Sequence, residues 1–306
     1  MLDTKRPFTR ADALAAGISP RLLRGSRFRR IFRGVHISSS VTPHDDERVT
    51  AALMLHPKDT WASHVTGAAW CRVAVPPSST THVSVTRAKD RRWQPGLKPH
   101  VAPPGTKTRT WRGILVSAPI RMFVELASML DLVDLVVAGD SMLRVFGLKA
   151  EELVAGLEKT RDYWSPAARY AGKFVRDGVD SPMETRLRML IVLAGLPEPQ
   201  VNVKVREHDG NVILRFDLGY PSLRLAFEYD GRQHVEIIKN WERDIDRGDL
   251  VDKAEWRILK VTAKGIYVEP GRTIERVRNA LERCGVKLPE PSDEWRTHFP
   301  GRPSAA

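Results

Sequence analysis

The sequence predicts a mixed α/β protein of more than one domain, and three observations lead there. Its 306 residues are about twice the usual length of a single domain. Hydrophobic residues make up 42% and charged residues 28%, a globular balance that excludes wholesale disorder. Helix-period stretches then alternate with short β-branched runs, and the last third reads helix, three strands, helix, strand, helix. Cys71 and Cys284 are the only cysteines, which excludes a disulfide framework and a cysteine-rich zinc site. No apolar run approaches the ~18 residues of a membrane span, and the N-terminus lacks an apolar signal core. The expectation is a soluble cytoplasmic protein with no membrane partner.

Lys and Arg number 49 against 37 acids, a net charge of +12. Such an excess calls for an anionic partner, nucleic acid before membrane. It is concentrated in two places. Residues 1–40 hold nine basic residues against Asp3 and Asp12, net +7. The stretch from Arg87 to Arg112 holds eight against Asp90 alone, again +7. On an otherwise balanced chain these read as phosphate footprints on double-stranded DNA. The candidate contacts are Arg24, Arg27, Arg29, Arg30 and Arg33 in the first, and Arg91 and Arg92 in the second. Basic residues on solvated faces are the plainer reading.

Residues 1–40 form the first predicted domain. Thr9 can cap a helix that runs to Ala16 and stops at Gly17, and Ser19-Pro20 opens a second short helix to Leu23. Phe28, Ile31, Phe32, Val35 and Ile37 then predict a hairpin turning near Arg33-Gly34. Helix, turn, helix and basic hairpin is the layout of a winged helix-turn-helix. With its closing phrase from Phe32 to Ile37, the segment resembles the N-terminal winged-helix domain of the abortive-infection family of type IV antitoxins. That resemblance implies DNA binding.

Residues 41–176 are predicted as a mixed α/β central domain, also similar to those antitoxins. Helices are expected over Asp45–His56 and Thr60–Val73, a strand over Thr81–Thr86, and a basic loop or hairpin over Ala88–Thr110. Trp93 and Trp111 could stack on bases or anchor that segment. Ile114–Val116 reads as a strand, and Pro119–Leu130 and Asp134–Phe146 as helices. No catalytic constellation emerges: His56, His64 and His82 lack partners at metal-ligand spacing.

Residues 177–289 form the third predicted domain. A helix over Pro182–Ala194 is followed by strands Val201–Arg206 and Val212–Leu218 around an Asp209-Gly210 turn, and by a strand Arg224–Tyr229. Helix Asn240–Glu255, strand Arg257–Thr262 and helix Gly271–Cys284 complete it, and residues 290–306 read as a mobile tail. Asp217 ends one strand and Glu228 lies eleven positions on, near the end of the next, followed by Asp230 and His234. Glu228 and Asp230 share one strand face and meet Asp217 on its neighbour, an oxygen-rich site suited to Mg²⁺ or Mn²⁺.

This spacing resembles the PD-(D/E)xK nuclease superfamily. The phrase from Phe227 to His234 is similar to very-short-patch-repair (Vsr)-like endonuclease domains. The resemblance implies a restriction-endonuclease-like α/β (α+β) fold, with Asp217 as principal metal ligand, Glu228 beside the metal and His234 as the catalytic histidine. Glu184 would be the acid such folds carry on their first helix. It also completes a capping box with Ser181, reaching back to the Ser181 amide, and the two roles stand level. The superfamily lysine, two positions after Glu228, is Asp230 here. The candidates to replace it are His234 as proton carrier, with Arg247 or Lys260 supplying positive charge; Arg243 and Arg247, one helical turn apart, suit phosphate, and helix-surface ion pairing with Asp244 or Glu242 stands level with that. The expected function is a metal-dependent DNA endonuclease in repair or defence, with a homodimer as one way to cut both strands. The alternative is a DNA-binding regulator, antitoxin-like, with an inactive nuclease fold.

Overall fold

The structure is a computed structural model, and it describes residues 2–206, 210–231, 251 and 254–301. It is mixed α/β, with three sheets among the described residues. The chain divides into two compact units, Met1–Leu130 with Ala155–Arg169, and Asp131–Val154 with Tyr170–Ala306. Among the described residues no helix is long and apolar enough to cross a membrane.

In the first unit, β1 (Phe8–Thr9) leads into α1 (Arg10–Ala15), α2 (Pro20–Arg24) and the hairpin β2 (Phe28–Phe32) and β3 (Val35–Ser38). Local sequence dictates these elements. Thr9 and Asp12 form a reciprocal capping box, and Ser19 caps α2 ahead of Pro20. Strand β1 adds to the hairpin in the order β1-β3-β2. Phe8, Ala13, Leu23 and Phe28 close a small core beneath it, with Phe8 edge-on to Phe28 at 5.5 Å.

The unit continues with α3 (Asp45–Met54), β4 (Trp61–Ala62), α4 (His64–Trp70), β5 (Thr81–Val85), β6 (Leu97–Val101), β7 (Thr108–Trp111), β8 (Ile114–Ser117) and α5 (Pro119–Leu126). Its sheet runs β6-β5-β4-β8-β7. Two expectations change here. The helix predicted over Thr60–Val73 is preceded by strand β4, and the chain turns into α4 at His64 with φ +54°. That turn brings the helix against its own strand: a Cβ on Gly67 would lie 2.7 Å from the Ala62 carbonyl oxygen. The segment Ala88–Thr110 is neither a loop nor one hairpin, because β6 pairs parallel with β5 while β7 pairs antiparallel with β8. Strand β5 is buried at all five positions instead of alternating, as a central strand covered on both faces must be.

In chain order α6 (Leu132–Phe146), α7 (Ala150–Glu158), α8 (Ser165–Gly172) and α9 (Pro182–Leu193) follow. The second unit then holds β9 (Gln200–Arg206), β10 (Val212–Tyr220), β11 (Leu225–Tyr229), β12 (Arg257–Val261), α10 (Ala263–Tyr267), α11 (Pro270–Arg283) and α12 (Trp295–His298). Its sheet runs β12-β11-β10-β9. Strands β9, β10 and β11 form an antiparallel meander, and β12 lies parallel to β11. Val203, Leu214, Phe216 and Ala226 are the apolar core, and Trp256 packs on Phe216 with centroids 4.8 Å apart.

Helices α6 and α9 are joined by a charge that is wholly out of solvent. Arg188 is 0% exposed and donates to Asp140 and to Glu198, each at 2.9 Å. Asp140 also accepts the Thr185 hydroxyl and the Arg176 amide, both at 2.8 Å. The terminal nitrogens of Arg188 are thus paired, while its buried Nε has no hydrogen-bond partner. Within the segment read as a mobile tail, α12 buries Trp295, Phe299 is buried beside it, and the Ser292 amide donates to the Ala194 carbonyl at 3.1 Å. The predicted helix Asn240–Glu255 falls almost wholly outside the described residues.

Candidate functional site

The acids expected to carry chemistry belong to the second unit. Helix α9 opens as its sequence predicts, with Ser181 as N-cap, its Oγ accepting the Glu184 amide at 3.2 Å. The Glu184 carboxylate reaches one residue further back than expected, taking the Asp180 amide at 3.0 Å. Only 8% of Glu184 is exposed. Burial pushes its carboxyl up to about 7; hydrogen bonds to Ser181 pull it down, and the negative charge of Asp217 pushes it up again. Capping and proximity to Asp217 therefore hold together for this residue.

Asp217 sits where two strands part. The β10–β11 ladder pairs Tyr220 with Leu225, Gly219 with Ala226 and Leu218 with Phe227, and stops there. Asp217 is the next residue, and its Oδ2 accepts the Tyr229 amide at 2.9 Å. The carboxylate thus satisfies an amide that the ladder no longer serves. Glu228 is paired in register with Lys260 across the parallel β11–β12 ladder, so the two side chains share a sheet face. Asp230 follows the end of β11, its amide donating to the Val261 carbonyl at 2.8 Å. Lys260 is thereby the cation beside Glu228, on the neighbouring strand instead of two residues along the same one. His234, Arg243 and Arg247 lie outside the described residues.

The register sets Glu228 beside Lys260, and the charge of Asp217 acts on Glu184. Among the described residues, the group of three potential metal ligands gathered round one point is histidine, not carboxylate. The donor chemistry nevertheless fits a hard divalent cation. Magnesium commonly takes one or two carboxylates and completes its shell with water and phosphate. Such an ion would also relieve the repulsion from Asp217 that adds to the effect of burial on Glu184.

The basic residues of the first unit also converge. Arg10, Arg24, Arg30, Arg33 and Arg92 line one cleft of about 520 Å³ together with His36, Leu55 and Gln94. Arg24, Arg30 and Arg33 come from the N-terminal basic stretch and Arg92 from the second. Gln94 ties the two, accepting the Arg33 amide at 2.6 Å and donating to the Arg33 carbonyl at 3.3 Å. Burial and the adjacent charges of Arg30 and Arg10 hold His36 below its ordinary pKa. The remaining predicted contacts are exposed but lie off the cleft lining. Arg27 sits over Phe28 at 5.8 Å, Arg29 donates to the Ser39 carbonyl at 2.8 Å and Arg91 to the Ala88 carbonyl at 3.3 Å. Trp93 is 58% exposed, as a stacking residue must be. Trp111 is an anchor: it accepts the Trp70 indole N–H on its carbonyl at 3.0 Å and carries Arg109 over its ring.

One sequence expectation is overturned outright. His64 and His82 do have partners at ligand distance: with His100 they bring one ligand atom each within 4.8 Å of one another. Spacing along the chain conceals this, because His82 and His100 meet only through the parallel pairing of β5 with β6. His56 stays structural, its Nδ1 2.7 Å from the Ala52 carbonyl and its Nε2 accepting the Arg92 amide at 3.2 Å.

No family model matches the chain. Two uncharacterized proteins of Mycobacterium tuberculosis, one from strain CDC 1551 / Oshkosh and one from strain ATCC 25618 / H37Rv, are each 27% identical to it over 181 residues. The alignment covers 59% of this chain and 66% of each relative. The chain thus matches just under two thirds of the length of these relatives.

Proposed function

We propose that this protein binds double-stranded DNA through its first unit and hydrolyses phosphodiester bonds at the acids of its second. The observation that carries the nuclease reading is the place of Asp217, at the point where β10 and β11 separate, close enough to α9 for its charge to act on the buried Glu184. The sheet order β12-β11-β10-β9, entered from α9 and with β12 parallel to β11, supports the restriction-endonuclease-like, Vsr-like resemblance. The capped helices α1 and α2 and the three-stranded β1-β3-β2 sheet support the winged helix-turn-helix.

In this reading Asp217 and Glu228 hold Mg²⁺ or Mn²⁺. The ion supplies Lewis-acid charge to the phosphate and acidifies a water. Glu184, poised near neutrality, can hold or pass a proton beside them. Lys260 stands next to Glu228 and brings the positive charge that Asp230 cannot, stabilising charge that develops on the phosphate. His234 keeps its proposed work of proton transfer. Arg24, Arg30, Arg33 and Arg92 hold the DNA backbone by charge-assisted hydrogen bonds.

A second reading has its own support. Because no three carboxylates gather among the described residues, a regulator that retains the DNA cleft without turnover is the alternative. Incubating the full chain with supercoiled, linear, mismatched and single-stranded DNA, with Mg²⁺ and with Mn²⁺, separates the two. Metal-dependent nicking or cutting is expected from a nuclease. Binding without cleavage on every substrate leaves the regulator.

A further inference from the structure

The histidine cluster belongs to neither site described above. His82 lies on β5 and His100 on β6, in a register that pairs His82 with Lys98 and Ser84 with His100. His64 opens α4 immediately after β4. The rings of His64 and His100 stack with centroids 3.8 Å apart, those of His82 and His100 at 5.2 Å. His82 Nδ1 and His100 Nε2 are 2.9 Å apart. His64 is 7% exposed and His82 3%. Moreover His64 is held at φ +54°, a left-handed conformation that persists at a non-glycine residue only where its surroundings impose it.

Those surroundings orient the ring. His64 Nδ1 lies 3.0 Å from Ser63 Oγ, which also accepts the Ser84 hydroxyl at 2.8 Å. The buried Glu125 carboxylate accepts the His64 amide at 3.1 Å and the Ser117 hydroxyl at 2.7 Å, and its Oε2 stands 3.9 Å from His64 Nδ1. Arg121 neutralises it through a bond of 2.9 Å to Oε1. A hydroxyl and a carboxylate at one ring nitrogen are the usual support of a histidine that ligates through the other. Metal ligation also needs neutral imidazole. Burial disfavours the charged form at His64 and His82, 7% and 3% exposed.

We propose that His64, His82 and His100 bind one divalent transition ion of the zinc class. Three imidazole nitrogens without a carboxylate select Zn²⁺, or Co²⁺ and Ni²⁺ in its place, over Mg²⁺. Tetrahedral bonds of about 2.0–2.1 Å set ligand nitrogens about 3.4 Å apart. The 2.9 Å contact of His82 with His100 therefore opens as the stacked rings turn, and the proton between them passes to the far nitrogen of the ring that carries it, so that both rings stay neutral and point lone pairs at the metal. A pocket of about 300 Å³ borders His64 and His100 and is lined by Lys98, Arg121, Ser128 and Trp164 among others. The fourth ligand, a water or a small anion, comes from that side. The inference stands apart from the nuclease reading, since none of its residues serves the acids of the second unit.

The test uses the full chain, purified without a histidine tag and stripped with a chelator. Zn²⁺ should bind with a stoichiometry of one at micromolar free metal and raise the melting temperature in a concentration-dependent way. Co²⁺ should give the intense visible bands of a low-coordinate ion, and X-ray absorption of the zinc form should show three imidazoles. His82→Asn and His100→Asn should each lose the stoichiometric uptake, whereas Asp217→Asn should keep it. Absence of stoichiometric Zn²⁺ and Co²⁺ uptake by the wild-type chain overturns the proposal, and so does a bound zinc whose absorption spectrum lacks imidazole. Both measurements use wild-type protein, so a histidine variant that fails to fold does not blunt them.

Discussion

With its carboxyl pushed up to about 7 from an ordinary 4.5, Glu184 keeps a proton in the folded chain after the unfolded chain has lost it. Its contribution to stability is whole below about pH 4.5 and is lost as pH rises through about 7, since over that range the native state binds more protons. Glu184→Gln keeps the cap and removes the titration. In metal-free buffer the variant should match wild type near pH 4 and be more stable by about 3 kcal/mol near pH 8, read from urea midpoints. Equal pH profiles would show that Glu184 ionises normally. At this same scale the sequence is legible where chemistry is local: Ser181 before Pro182-Met183-Glu184 announces both the cap and the acid. What it hides is long-range. Nothing in the spacing of Asp217 and Tyr229 shows that a carboxylate will take the amide where a ladder ends, and nothing in the spacing of His64, His82 and His100 shows three rings meeting.

Elements meet in this fold through a few exacting contacts, and each makes a prediction. In α4, Gly67 lies so close to the Ala62 carbonyl that a Cβ would sit 2.7 Å from its oxygen. Gly67→Ala must shift backbone on one side or the other, and should cost about 1–3 kcal/mol in a denaturant titration. In the second unit α6 and α9 share the Arg188–Asp140 pair, out of solvent at both ends. Asp140→Ala strands a buried guanidinium with only Glu198 to answer it, and should cost about 3–5 kcal/mol. The double variant Asp140→Ala with Arg188→Met should recover part of that loss; strict additivity would mean that the two do not depend on each other. Strand and helix boundaries followed from sequence to within a few residues for α3, α6, α9, β10 and β12. The breaks came at Thr60–Val73 and Ala88–Thr110, where tertiary pairing of β4 and β6 with β5 overrides local pattern.

For the molecule as a whole, charge is the most informative feature of the sequence, and the structure turns it into a place. Two basic stretches, residues 1–40 and Arg87 to Arg112, line one cleft, with Gln94 holding Arg33. Reversing Arg24, Arg30, Arg33 and Arg92 to Glu should weaken binding to all DNA sequences alike. It should also flatten the salt dependence by roughly 0.9 per lost phosphate contact. Reversing Arg29, which is engaged with the Ser39 carbonyl, should do less, and the reverse ranking would move the DNA to another face. Binding of DNA by the cleft residues and its hydrolysis at the acids are tested most directly by measuring DNA cleavage and DNA affinity together for wild type and Asp217→Asn. Wild type should cleave with Mg²⁺ or Mn²⁺ and Asp217→Asn should not, with affinity unchanged within about twofold because arginines, and not Asp217, hold the phosphates. Cleavage that persists in Asp217→Asn, or a wild-type chain that binds DNA and cuts none of it with either metal, would contradict hydrolysis at the acids.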